Sequence, residues 1–348
     1  MPLIMRPSLS HVIDVAAGAN HAAGRAGRSM ILITGATGLV GRHLVRRFMR
    51  ESLPTRVLLP ERRMRRLPWD AGDPAAPELF AGSVVDEEAF FRAVTGCHAV
   101  IHLENAQWWG RRRDLERVEL AGARSLAAVA RAARVGRIIT LSHLGAAPSS
   151  AFTLHRIKGE VEYLLRSSGV AFTVIRSGIV FAPDDAFVNH IASMLRINPL
   201  FFLMPGRGEV VLHPMYIDDL VEAIYRSLDS VRLVDSTVEI GGPEYLSLRD
   251  LVLTIMRVTR MRRLVIAVPP YLLRWITAVY SRMFPRSLMT AQWLDILAAN
   301  RTAPLGSTYD HFGFQPRRFE STLLDYLPER AHFLGLLRDS FRRRPRPV

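Results

Sequence analysis

The stretch Met30-Ile-Leu-Ile-Thr-Gly35-Ala-Thr-Gly38-Leu-Val-Gly41-Arg-His-Leu44 decides how the rest of the chain is read. Ile31 to Thr34 is a short apolar run of the kind that forms a buried strand, and Leu39 to Arg50 carries apolar residues at helical spacing. Between them stand three glycines in the order T-G-x-x-G-x-x-G. Gly35 permits a tight turn out of the strand, Gly38 lets the backbone approach a diphosphate, and Gly41 lets helix and strand pack closely. A helix that starts here presents unpaired amides and the positive end of its dipole. Gly35, Thr37, Gly38, Leu39, Val40 and Gly41 are therefore the expected contacts to a dinucleotide.

Outward from this turn, short β-branched runs alternate with longer helical stretches. Strands are expected at Arg56 to Leu59, Ala99 to Leu103, Arg137 to Leu141 and Val170 to Arg176, with helices over Glu87 to Val94, Leu115 to Ala133 and Ser149 to Arg166. Such alternation predicts βαβ units and a doubly wound, mostly parallel α/β sheet of the Rossmann type. Beyond Pro183 the regularity weakens: Pro199, Pro205, Gly206 and Gly208 read as loop residues. Helices are expected at Tyr216 to Leu228 and Ser247 to Arg260, and a strand at Thr237 to Ile240. The expected division is a loose leader over 1–29, with Met30 as a candidate start, a dinucleotide-binding core over 30–183, remaining core elements and a small mixed lobe over 184–330, and a basic tail over 331–348.

At 348 residues and 49% apolar, the chain can bury a full core. Its one cysteine, Cys97, excludes an internal disulfide framework and any cysteine-rich zinc site, and no metal is implied. No apolar run reaches the roughly 18 residues of a membrane-spanning helix, so a cytoplasmic protein is expected, with a peripheral seat on the cytoplasmic membrane face as an option. A net charge of +14 raises the question of polyanions. The arginines form scattered groups, among them Arg62 to Arg66, Arg111 to Arg113 and Arg342 to Arg346, without an accompanying aromatic platform, so no nucleic-acid partner is expected.

Further motifs extend the first. Ser142 ends a strand in Leu141-Ser-His-Leu-Gly145, and Lys158 follows on a helix; Arg176-Ser-Gly-Ile-Val-Phe181, His213-Pro-Met-Tyr-Ile-Asp-Asp219 and Ile240-Gly-Gly-Pro243 come after. Together these residues resemble the short-chain dehydrogenase/reductase superfamily in its extended or atypical, epimerase/dehydratase-like branch. Within it the chain is similar to the group containing the nucleotide-binding alpha-subcomplex accessory subunit of respiratory complex I and its bacterial relatives, including a segment like Leu288-Met-Thr-Ala-Gln-Trp-Leu294. The resemblance implies that Ser142 orients a carbonyl and that Lys158 holds the nicotinamide ribose.

One position departs from that pattern. Four residues before Lys158, where the superfamily has its catalytic tyrosine, stands Leu154, which cannot donate a proton. His155 or His143 could serve as an acid in its place, although a histidine beside a motif is more often structural or solvated. Lys158 is also the one lysine in a chain with 45 arginines, which suggests a position needing a compact ammonium rather than a planar guanidinium.

Cofactor choice depends on the residues after the second strand. Glu61 suits a free ribose 2′-hydroxyl and hence NAD, whereas Arg62, Arg63 or Arg42 suits a 2′-phosphate and hence NADP. The family resemblance favours NADP(H). Family members often carry an acidic residue near the adenine after the third strand, but here Gly82 is followed by Ser83.

Leu272, Leu273, Ile276, Val279, Tyr280 and Met283 repeat at helical spacing, with Trp275 and Phe284 nearby and Arg274, Arg282 and Arg286 flanking. This predicts either a core helix of the small lobe or an amphipathic helix at a membrane or membrane complex. Phe201 to Met204 forms a second apolar cluster, for a substrate pocket or the same surface. Two functions follow: an NAD(P)H-dependent oxidoreductase or epimerase acting on a lipid-like or quinone-like carbonyl, or a non-catalytic nucleotide-binding accessory subunit of a membrane assembly. Leu154 favours the second, and Ser142 with Lys158 sustains the first.

Overall fold

The computed structural model describes residues 29–105, 115–283 and 291–327. Seven parallel strands form the central sheet: β1 (Met30–Thr34), β2 (Thr55–Leu59), β3 (Glu78–Ala81), β4 (Cys97–His102), β5 (Arg137–His143), β6 (Phe172–Ser177) and, later in the chain, a last strand at Ser236–Ile240, in the order last-β6-β5-β4-β1-β2-β3. Chain order reverses between β1 and β4. In an open parallel sheet that reversal leaves a crevice at the carboxyl ends of the two strands, where ligands bind.

Helices cover both faces. On one, Leu44, Val45 and Phe48 of α1 (Leu39–Arg50) pack with Leu220, Val221 and Ile224 of a helix at Ile217–Ser227 against Ile33 and Ile101 of the sheet. The short α2 (Glu61–Met64) follows β2. On the other face, α3 (Glu87–Val94), α4 (Gly122–Ala132) and α5 (Thr153–Arg166) bring Phe90, Leu126 and Leu165 onto Leu32, Val100 and Ile138. Each such fully buried side chain contributes about 1.5–3 kcal/mol. Local chemistry sets the helix starts: α3 begins where the Asp86 carboxylate accepts the Ala89 amide at 3.1 Å.

The helix expected over Leu115 to Ala133 forms, but its first part, Glu116–Ala121, is π-helical and runs into α4. A second core lies in the smaller lobe, where Phe187, Ile191 and Leu195 meet Phe202, Leu251, Ile255 and Phe319. There the apolar run Phe201–Pro205 is a strand, paired in parallel with Leu264–Val268. Sequence periodicity does not flag this pair, because its strands stand some sixty positions apart and register is decided by burial of Phe202 and Met204 on alternate positions. No helix among the described residues is long and apolar enough to cross a membrane. The expected leader, the Arg111 to Arg113 group, Phe284, Arg286, the first residues of the Leu288 segment and the basic tail lie outside the described residues.

Candidate nucleotide site

Gly35 leaves β1 with φ +70°, a left-handed conformation that glycine tolerates best. A Cβ there would also lie 2.5 Å from the Leu103 carbonyl carbon and 2.7 Å from the Glu104 amide nitrogen, so the exit of β4 passes directly over it. A Cβ on Gly41 would collide with the Gly35 carbonyl and Ala36, whereas one on Gly38 would meet only the Gly35 oxygen, at 3.2 Å. The Gly38 amide donates to that oxygen at 2.9 Å, and the first helical bond is Arg42 N–H to the Gly38 carbonyl at 3.0 Å. No side chain caps α1 and its first turn holds no acid. The amides of Leu39, Val40 and Gly41 thus face the crevice as donors, an arrangement that fits a diphosphate.

Glu61 and Arg62 are exposed at the start of α2, at the end of β2 where an adenosine ribose would lie. Arg42 donates to Asp184 at 2.7 Å, and Arg63 reaches Thr37 Oγ1 at 3.3 Å and the buried Glu104 carboxylate at 3.7 Å. Burial holds the Glu104 carboxyl above the ordinary carboxylate range.

Lys158 is 5% exposed and its ammonium sits 2.5 Å from the carboxylate of Glu119, itself 2% exposed. Glu119 comes from the π-helical turn ahead of α4, and such turns recur at functional sites because they re-aim a side chain within a helix. At the end of β4, His102 Nδ1 lies 2.8 Å from Thr34 Oγ1, and burial, helped by the Lys158 charge, lowers the imidazole to about 3. It is neutral at pH 7. Ser142 is buried, and its hydroxyl has no hydrogen-bond partner among the described residues.

Leu154 is 0% exposed and packs with Leu115, Ile157 and Ile296. Hydrocarbon fills the place a proton donor would need. The two histidines weighed as acids do not replace it: burial, then the Arg301 charge, lowers His155 to about 4, and burial followed by the charge of Lys158 holds His143 well below the usual imidazole range. Neither is protonated at neutral pH, which leaves them without the acid role open to them beside the more ordinary structural one. Their rings stand 6.2 Å apart, and both nitrogens of His155 lack a partner among the described residues.

The later motifs are structural. Arg176 pairs with Glu162 at 2.7 Å and Glu239 at 2.9 Å, while His213 Nε2 lies 2.7 Å from the Gly242 carbonyl. Sequence reasoning missed Glu119, Glu104 and His102. Only Glu119 left a usable trace, an acid on the same helical stripe as Leu115, Gly122 and Leu126.

Residues 35–189 match a family model described as NAD(P)H-binding. Over 268 residues, 74% of this chain and 70% of the relative, the sequence is 28% identical to mouse mitochondrial NADH dehydrogenase (ubiquinone) 1 alpha subcomplex subunit 9. The chain therefore carries an NAD(P)H-binding domain and is similar to that alpha-subcomplex subunit. It is also 30% identical to the ceramide reductase of Caulobacter vibrioides over 199 residues, 55% of this chain and 58% of that one. Among solved structures, a nucleoside-diphosphate-sugar epimerase from Staphylococcus aureus superposes with a TM-score of 0.68 at 14% identity, covering 84% of this chain and 99% of that one. The NADPH-dependent quinone oxidoreductase of Escherichia coli, complexed with NADPH, gives 0.66 at 17% identity over 86% and 99%. At these identities the structures speak for the fold alone. The glycine turn belongs to this NAD(P)H-binding domain, and Leu154 is where the chain departs from the short-chain dehydrogenase/reductase pattern.

Proposed function

We propose that this protein holds NADPH as a bound nucleotide that it does not turn over, in the manner of an accessory subunit beside a cytoplasmic membrane assembly. The observation that carries the reading is Leu154, sealed in hydrocarbon where the superfamily places its proton donor. When bound, the nicotinamide supplies hydride chemistry; the residues here supply binding. The α1 amides grip the diphosphate, Arg62 takes the 2′-phosphate with Glu61 beside it, and Lys158 steadies the nicotinamide ribose. An ammonium has three donors, so the bond to Glu119 leaves Lys158 two for a sugar.

A second reading is an oxidoreductase or epimerase acting on a lipid-like or quinone-like carbonyl. Ser142 favours it, since a buried hydroxyl with no partner among the described residues is costly and suits a substrate oxygen as acceptor. Native mass spectrometry of the purified protein separates binding from emptiness, and stopped-flow mixing of the NADPH-loaded protein with carbonyls and quinones separates the two readings. Nucleotide retained and never oxidised is the expected result; oxidation by any of these substrates overturns the accessory role in favour of the enzyme.

A further inference from the structure

Exposed apolar side chains gather on one stretch of the smaller lobe. On the strand Leu264–Val268, Leu264 is 68% exposed and Ile266 shares its side of the strand. Leu200, also exposed, lies against it, its carbonyl accepting the Leu264 amide at 3.0 Å. The helix Pro270–Met283 follows at once. It buries Leu273 and Thr277, one turn apart, and leaves Tyr271 77% and Trp275 65% exposed, with Leu272 and Val279 open on the same broad face. Single exposed apolar residues are ordinary on a soluble surface; a run of them with a tryptophan and a tyrosine is not.

Arginines predominate around this face, with Arg257 paired to Glu320 and Arg274 to Asp295. From Leu251 to Leu294 the chain carries no aspartate or glutamate and seven arginines. Arg260 and Arg262 are exposed where the chain enters the strand, and Arg207 is exposed at its other end, beside Gly206, whose amide bonds the Val268 carbonyl at 2.8 Å. None of the three makes an ion pair among the described residues.

We infer that this strand-and-helix face docks on a bilayer rich in anionic phospholipid. At 14 residues the helix is about 21 Å long, too short to cross a bilayer, so it lies in the interface. Trp275 and Tyr271 suit the headgroup boundary, having an apolar body and a polar edge, and Leu264 and Val279 enter the acyl region. Guanidiniums bind phosphate through paired N–H groups, and Arg207, Arg260 and Arg262, which make no ion pair among the described residues, are available to an anionic surface. The inference is independent of the nucleotide reading.

The test is co-sedimentation of the full chain with protein-free vesicles of phosphatidylglycerol and phosphatidylcholine, alongside pure phosphatidylcholine vesicles. Binding is expected to be at least tenfold tighter to the anionic vesicles and to weaken with salt. Trp275→Glu with Leu264→Glu is expected to lower it at least tenfold, and Arg260→Ser with Arg262→Ser severalfold. All four positions are exposed, and unchanged thermal unfolding confirms that the variants fold. Absence of binding to anionic vesicles, or binding that neither double variant reduces, overturns the inference. So does binding confined to native membranes and abolished when their proteins are digested, which assigns the face to a protein partner.

Discussion

The Lys158 ammonium and the Glu119 carboxylate face each other at 2.5 Å inside the crevice, both almost wholly out of water. A buried ion pair seldom adds net stability over hydrocarbon, but losing one partner strands the other charge. Glu119→Leu is therefore expected to destabilise the fold by about 3–5 kcal/mol, and the Glu119→Leu/Lys158→Met double variant to recover most of that loss. Urea unfolding of the three variants checks it. Equal stability of Glu119→Leu and the native chain would mean the pair is not formed in solution.

The glycines of the turn separate by function. Gly41→Ala puts a methyl against the Gly35 carbonyl and Ala36, and is expected to cost about 1–3 kcal/mol in stability. Gly38→Ala meets only one oxygen, at 3.2 Å, and Gly38 has an ordinary φ of −70°. It is expected to fold like the native protein while losing about tenfold in NADPH affinity, since its methyl stands where the diphosphate approaches. Calorimetric unfolding and titration with NADPH, run on both, distinguish the two effects.

Two buried histidines are expected to weaken the fold in acid, against the raised Asp185 carboxyl, at about 7, which works the other way. His102 and His155 fall to about 3 and about 4 in the folded protein from 6.5 in an unfolded chain. Between those values the unfolded chain takes up protons that the native one refuses, so stability present above pH 6.5 is lost as pH falls toward 4. His155→Phe, which removes two ring nitrogens without a partner among the described residues, is expected to flatten that decline by up to about 3 kcal/mol. Melting temperatures from pH 7 down to pH 4.5 measure it, and an unchanged slope would place His155 in water.

Leu154→Tyr restores the superfamily's donor in name only. Its larger ring must enter a cluster already closed by Leu115, Ile157 and Ile296, at an expected 1–3 kcal/mol. No NADPH oxidation is expected with any carbonyl. Turnover by this variant would show that the rest of the site is competent and would favour the enzyme.

Sequence alone determined the parallel sheet, the glycine turn at its first strand and the missing tyrosine, because these depend on local periodicity and on residue types at fixed short spacings. Periodicity did not reach the pairing of Phe201–Pro205 with Leu264–Val268, nor the π turn that swings Glu119 onto Lys158. Those are contacts between segments far apart in the chain. Tertiary packing also decided protonation: the linear sequence leaves an acid role open to His143 and His155, and burial beside Lys158 and Arg301 makes them neutral. Desolvation is a property of the folded surroundings, and no residue carries it in its own name.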